Sequence, residues 1–338
     1  MTNDDMTTII DTSDEWIRSR SGIEERRVSH VPGSDLAAVA GHRALAAAGA
    51  KPEEIDLLIV ATCSADTVIP SAAAHVQKKM GAKNAAVFDL NAGCSGFLYS
   101  LSVATAMIRS AGYSKVLVIG SERITWFLNW SLRDTAVLFG DGAGALVLEP
   151  SELKTGLLTS HLGCDGEALE ALMIPNFGTA GNRFVDDYHK FDVQFDGREI
   201  FRRAVKGMAM EVRKVLGDLG MQNEDIDLII PHQANQRIIE SLAKHLAVPM
   251  SQVALNIQKY GNTSAATIPI AMVEALEEGR IQPGSRLLLA AFGAGLTRGA
   301  GLILWGQRTT PLGESDAELP PCHQTALEIL DEAIRHTR

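Results

Sequence analysis

Of the four cysteines in the chain, Cys63, Cys94, Cys164 and Cys322, one stands in a setting suited to nucleophilic chemistry. The four form no CxxC pair and have no histidine at ligand spacing, which argues against a zinc site and against a disulfide framework. Cys94 lies in Asn91-Ala-Gly-Cys-Ser-Gly-Phe97, after an expected strand and at the start of an expected buried helix. A thiol there meets the positive end of a helix dipole and free backbone N–H groups, which lower its pKa and can hold an oxyanion. Position alone leaves two readings open, a nucleophile or a buried small hydrophobe. Cys63, Cys164 and Cys322 lack such a setting and are expected to be structural.

His232 lies in Pro231-His-Gln-Ala-Asn-Gln-Arg237, directly after an apolar run ending at Ile230. The carboxyl ends of strands in α/β sheets carry ligands, so an imidazole there is a general-base candidate or a satisfied structural histidine. Asn262, in Gly261-Asn-Thr-Ser264, reads locally as a helix N-cap. The Gly-rich stretches Gly140-Asp-Gly-Ala-Gly144 and Phe292 to Gly301 fit neither a dinucleotide loop nor a Walker loop, and are expected to be tight turns between adjacent strands. The second could also present backbone N–H groups to a reacting carbonyl.

The elements that must position these residues form a doubled pattern. Glu54-Ile-Asp-Leu-Leu-Ile59 recurs as Asp225-Ile-Asp-Leu-Ile-Ile230, Lys115-Val-Leu-Val-Ile-Gly120 as Ser285-Arg-Leu-Leu-Leu-Ala290, and Gly142-Ala-Gly-Ala-Leu-Val-Leu148 as Gly299-Ala-Gly-Leu-Ile-Leu-Trp305. The order is the same in both halves. In the first half the patterning predicts strands over 55–62, 85–90, 116–121 and 143–149, with helices over 35–48, 71–80 and 95–110. In the second half it predicts strands over 156–162, 226–230, 253–256, 286–291 and 301–306, with helices over 199–219, 236–245 and 264–278. Apolar strands joined by helical crossovers indicate an α/β protein with sheets covered on both faces. The division is therefore 1–152, 153–306 and a polar tail, 307–338, with a helical pattern over 326–335. The repeat equates the positions of Cys94 and Asn262, so their side chains can converge across a pseudo-twofold axis. A long insertion, 165–198, carries Pro175, Gly178 and Gly181 and is the kind of loop that walls a binding site.

A length of 338 residues, 46% of them hydrophobic and 21% charged, fits a folded globular protein of about two domains. The net charge of −10 and the lack of long basic runs exclude nonspecific attraction to nucleic acid or an anionic bilayer. The N-terminus has no signal-peptide pattern, so a cytoplasmic location is expected. The uncharged stretch 90–108 is too rich in Asn, Gly, Ser and Thr to face lipid and reads as a helix buried in protein.

At these residues the sequence resembles the thiolase-fold condensing enzymes, specifically the β-ketoacyl-[acyl-carrier-protein] synthase III family. The resemblance rests on Asp11-Thr-Ser-Asp-Glu-Trp16, Arg20-Ser-Gly-Ile23, the Cys94 motif, Phe139-Gly-Asp-Gly-Ala-Gly144, Pro231-His-Gln-Ala-Asn235, Gly261-Asn-Thr-Ser264 and Phe292-Gly-Ala-Gly295. It implies a layered α-β-α-β-α arrangement and a decarboxylating Claisen condensation of an acyl-CoA primer with malonyl-acyl carrier protein. Cys94 would carry the acyl group, His232 and Asn262 would stabilise the enolate, and backbone N–H groups of Cys94 and of the turn from Phe292 would hold the oxyanion. Trp16 and Arg133 would sandwich the adenine of coenzyme A, Arg20 would bind its head group and Asn235 would order its pantetheine. Arg237, with Arg202, Arg203, Lys206, Arg213 and Lys214 nearby, would dock the acidic carrier protein. No cofactor or metal is implied, coenzyme A thioester being a substrate, and a homodimer is expected.

Three positions depart from the family pattern. Arg298 replaces a Trp, Ile69 stands where a bulky Phe can limit acyl length from the partner subunit, and the tail lies outside the match. The resemblance also implies an opening strand inside the first sheet, which this sequence lacks ahead of residue 11. An empty interior slot, or a substitute strand, is therefore expected in a four-stranded first sheet, with the natural chain starting upstream of Met1. Two other functions share these motifs: a related acyltransferase or head-to-head condensing enzyme of secondary metabolism, and a silent carrier-protein scaffold, against which the intact Cys-His-Asn set weighs.

Overall fold

The computed structural model describes residues 1–175, 178–179 and 192–337. Ten strands are found among them: β1 (Leu57–Ala61), β2 (Ala86–Leu90), β3 (Val116–Glu122), β4 (Gly142–Leu148), β5 (Gly156–Cys164), β6 (Leu172–Met173), β7 (Gln194–Phe195), β8 (Leu228–Pro231), β9 (Arg286–Gly293) and β10 (Thr297–Leu304). The helices are α1 (Asn3–Thr7), α2 (Asp14–Ser21), α3 (Gly33–Ala48), α4 (Ala72–Met80), α5 (Gly96–Ala111), α6 (Arg133–Ala136), α7 (Gly197–Leu219), α8 (Gln236–His245), α9 (Ile257–Tyr260), α10 (Thr267–Glu277) and α11 (Ala326–Thr337). Short polar side chains start several of them. Ser13 caps α2 by accepting from Trp16 N, Ser71 caps α4 and Asp196 caps α7.

The strands form two four-stranded sheets, ordered β2-β1-β3-β4 and β5-β10-β9-β8. Residue alternation along each strand decides which layer it faces. Leu57, Ile59 and Ala61 of β1 share a buried cluster with Leu287, Leu289 and Ala291 of β9 and with α5 and α10. Leu58 and Val60 point the other way, onto α3 and α4, while Leu288 and Ala290 pack on α7 and α8. The result is the expected five-layer order, helices, sheet, central helices, sheet, helices. The uncharged stretch forms α5 and lies between the two sheets.

Three expectations need correction. The 253–256 run is not a strand of the sheet but a single bridge between Ile229 and Val253. The final strand runs over Thr297–Leu304 rather than 301–306, because the Gly-rich stretch closes with a short turn over Ala294–Leu296. No interior slot is open in the first sheet, since β1 pairs directly with β2 and β3, and β3 with β4. In the second half β5 pairs with β10 alone, so the equivalent place lies beyond β4, at an edge. The described chain opens with α1 and α2, which patterning did not anticipate because both are short and polar. Beyond β10 the tail crosses the end of α3, where Leu312 N donates to Ala47 O at 3.0 Å, and α11 inserts Leu330 and Ile334 into a cluster with Met6, Ile17, Phe127 and Val193.

Candidate active site

Cys94, His232 and Asn262 all line one cavity of about 700 Å³. Cys94 follows β2 and precedes α5, His232 follows β8, and Asn262 lies in the loop between α9 and α10. All three are at least nine-tenths buried. The two halves are tied together at this point: Asn262 N donates to Leu138 O at 2.8 Å and Gly140 N donates to Asn262 O at 3.1 Å. Asn262 does not cap α10, as its local reading suggested, because a short turn over Ser264–Ala266 intervenes.

Hydrogen bonding orients each group. The Asn262 Oδ1 accepts from Ser264 N at 2.8 Å, so the Nδ2 amide is left to donate. His232 Nδ1 lies 2.7 Å from Thr267 Oγ1. The Thr267 hydroxyl also donates to the Ser264 carbonyl at 2.9 Å, so Nδ1–H donates to Thr267 Oγ1 and Nε2 is an acceptor; turning the hydroxyl to Nδ1 moves the imidazole proton to Nε2. Burial lowers the His232 pKa to about 3, so the ring is neutral. Gly293 is required by close approach, since a Cβ there would lie 2.6 Å from Cys94 N and 2.9 Å from Ser95 N.

The expected lowering of the Cys94 pKa is overturned. Burial pushes the thiol up to about 12, and the Glu122 charge adds to it against a hydrogen bond from Ser264. Desolvation of a thiolate outweighs the favourable helix start. The free site therefore holds a thiol.

A second cavity, about 320 Å³, also reaches Cys94 and is lined by Ile124, Phe127, Phe139, Leu172, Ile174 and Val193, with Cys63 and Ser264. Cys63 is thus not a remote structural cysteine, for its thiol donates to Glu122 Oε1 at 3.3 Å beside the nucleophile. Part of the insertion walls this space through Leu172 to Ile174 and Gly178, while Gly181 lies outside the described residues. Residue types alone gave no hint of Glu122, Ser264 or Thr267. A lone carboxylate ending an otherwise apolar strand was the signal that could have found the first.

At the mouth of the larger cavity, Trp16 and Arg133 lie on each other, the guanidinium 4.3 Å from the ring centroid, with Arg20 at 5.9 Å on the same ring. They are in contact rather than spaced for a sandwich, so an adenine would have to displace Arg133. Asn235 lines the cavity but spends its amide on structure, capping α8 through Arg237 N at 2.9 Å and holding Arg20 O at 3.0 Å. Phe292 contributes its ring to the wall. Arg237 is exposed at the rim with no ion-pair partner among the described residues. Arg202 pairs with Glu199 at 2.8 Å, Arg203 with Glu199 and Asp165, and Lys214 with Glu211, so the basic patch is weaker than its composition suggests. Arg298 faces away from the cavity and pairs with buried Glu211 at 2.9 Å.

A thiol from one half and an imidazole and an amide from the other, converging on one cavity, are the arrangement of a thiolase-fold condensing enzyme. Family models described as 3-oxoacyl-[acyl-carrier-protein] synthase III match residues 88–166 and, for its C-terminal part, 216–305. The chain is 54% identical over 338 residues to the beta-ketoacyl-[acyl-carrier-protein] synthase III 2 of Vibrio cholerae, covering 100% of this chain and 93% of that one. It is 47% identical over 311 residues to the synthase III of a Roseiflexus species, covering 90% and 94%. The crystal structure of the Aquifex aeolicus synthase III superimposes with a TM-score of 0.85 at 43% identity, covering 90% of this chain and 95% of that one. The chain belongs to the β-ketoacyl-[acyl-carrier-protein] synthase III family, the acyltransferases that initiate fatty acid synthesis by condensation.

Proposed function

We propose that the protein condenses an acyl-CoA primer with malonyl-acyl carrier protein through an acyl-Cys94 intermediate, with no resident cofactor. The observation that supports this most is the meeting of two cavities at Cys94, the larger reaching Arg20 and Arg237 at its rim, the smaller mainly apolar and the size of a short acyl chain. As Cys94 Sγ bonds to the acyl carbon, the thioester bond to coenzyme A breaks and the thiol proton ends on the coenzyme A sulfur. Malonyl-carrier protein then replaces coenzyme A in the larger cavity. Its C–C bond breaks to release carbon dioxide, and the electron pair is held as an enolate whose oxygen accepts from Asn262 Nδ2 and from His232 Nε2, in the tautomer whose Nδ1 accepts from the Thr267 hydroxyl. The enolate carbon attacks acyl-Cys94, and the released Cys94 thiolate takes a proton from water. Arg237, Lys206 and Arg213, exposed and without ion-pair partners among the described residues, meet the acidic carrier protein.

The same reading makes the protein a cytoplasmic homodimer. No helix among the described residues is long and apolar enough to cross a membrane. Val68 and Ile69, between β1 and α4, are 74% and 87% exposed, and Trp126 is 70% exposed, which suits burial against a second copy. Trapping acyl-Cys94 by mass spectrometry tests the intermediate. Asn262→Ala is expected to retain acylation and to lose about 100-fold or more in condensation, because only the enolate step uses that donor. An Asn262→Ala protein that condensed normally while failing to acylate would refute the assignment.

A further inference from the structure

Glu122 ends β3 with its side chain fully buried, and no step of the reaction above uses it. Its two oxygens collect donors from two separate segments. Thr62 Oγ1, Cys63 N and Ser64 Oγ reach it from the loop after β1, at 3.2, 3.1 and 2.5 Å. Ser264 Oγ at 2.9 Å and Ala265 N at 3.4 Å reach it from the loop that carries Asn262. The Cys63 thiol adds a sixth. Burial alone raises the Glu122 pKa, and these donors oppose it. The Cys63 and Ala265 N–H groups can only donate, and that favours the carboxylate form against the effect of burial.

The consequence reaches Asn262 through Ser264. Ser264 adopts φ 49°, a left-handed conformation that a serine holds only when its surroundings impose it. Its hydroxyl is fixed by Glu122, and its N–H, turned by that conformation, is the donor that fixes Asn262 Oδ1. If Ser264 relaxed, Asn262 could turn its oxygen to the cavity and repel an enolate instead of donating to it.

We propose that Glu122 is a positioning residue for the condensation step, holding Ser264 so that Asn262 presents Nδ2 to the substrate. The inference rests on the role assigned to Asn262 above. It also carries a second, electrostatic signature, since Glu122 is the charged group acting on Cys94 and favours its thiol form.

The test uses the full-length protein with Glu122→Gln, which keeps size and most hydrogen bonds while removing the charge. Acyl-Cys94 formation from acetyl-CoA is followed by intact mass, condensation by product formed from malonyl-carrier protein, and Cys94 alkylation by iodoacetamide from pH 7 to 10. The expected result is a loss of about 100-fold in condensation with acylation changed by less than about threefold, a misplaced donor being enough for such a loss. Alkylation at a given pH should become faster as the negative charge beside Cys94 is removed. Ser264→Ala, which cuts the link and leaves the carboxylate, should lose more in condensation than in acylation, with alkylation slowed because the Ser264 bond to Cys94 goes too, and it decides the matter if Glu122→Gln is insoluble. Normal condensation in either variant overturns the proposal, as does an equal loss of both half-reactions with an unmoved alkylation profile. A wild-type protein that forms no acyl-Cys94 overturns the underlying reading instead, and this inference with it.

Discussion

Replacing His232 by Gln should flatten the acid limb of the stability curve by an amount that can be calculated from its burial. In the folded protein the pKa of His232 falls to about 3, against 6.5 for the exposed residue, and desolvation is the cause. Between these values the unfolded chain binds a proton that the folded chain refuses, so stability falls as pH falls through 6.5 toward 3. From pH 7 to pH 4 the loss comes to about 3 kcal/mol, and over the whole window to about 5 kcal/mol. Asp141 works in the opposite direction. Burial raises its pKa from 3.8 to about 6 against bonds from Thr125 and Ser29, so its contribution is full below 3.8 and is lost as pH rises through 6. That offsets about 2 kcal/mol of the His232 effect between pH 7 and pH 4. The total curve would hide both, and the measurement must be a difference. Urea melts of the wild-type protein and of His232→Gln at pH 4, 5, 6 and 7 should give a stability gap that shifts by about 3 kcal/mol in favour of the variant on going from pH 7 to pH 4. The lost Thr267 bond moves the gap by a constant and does not imitate this slope. Parallel curves would show that His232 is charged or hydrated in the folded state, and the assignment of a neutral buried imidazole would fall.

Other outcomes follow from the same geometry. Cys94 in the unloaded protein should be alkylated at a rate that keeps rising beyond pH 9, in line with a pKa pushed up to about 12; a plateau near pH 7 would reveal a preformed thiolate. Gly293→Ala should slow acyl-Cys94 formation by about 100-fold, since its Cβ would meet Cys94 N at 2.6 Å and move the nucleophile; normal acylation kinetics would contradict that contact. Ending the chain after Gly306 should lower stability by about 3 kcal/mol or more, because Leu330 and Ile334 are only 5% and 8% exposed in the cluster they complete; an unchanged urea midpoint would show that α11 contributes nothing.

The catalytic trio could be read from the chain because each member sits where a regular element ends, and regular elements announce themselves by period. The apolar runs marked β1, β8 and β9 to within a few residues, and the internal repeat then placed Cys94 and Asn262 in equivalent loops. What stayed hidden depends on contacts between distant segments. Glu122 has the look of a strand-end residue turned to solvent, and its burial exists only because Thr62, Ser64 and Ser264 come from elsewhere to meet it. The ionisation of Cys94 was misjudged for the same reason, since local sequence shows the helix start but not the walls that exclude water. Arg298 and Arg202 were visible as charges, while their engagement by Glu211 and Glu199 required the fold.

The seam between the halves has a consequence for synthesis on the ribosome. Every strand of the first sheet lies between residues 57 and 148, so that sheet can assemble as soon as those residues emerge. Its closing bonds cannot: Leu138 and Gly140 wait for Asn262, and Glu122 waits for Ser264 and Ala265. Until more than a hundred further residues have been made, the nascent first half carries a carboxylate with part of its ligation missing and an open loop around Phe139. The emerging protein is therefore soft where the finished one is catalytic, and a translational pause inside the second half would lengthen the life of that unfinished state.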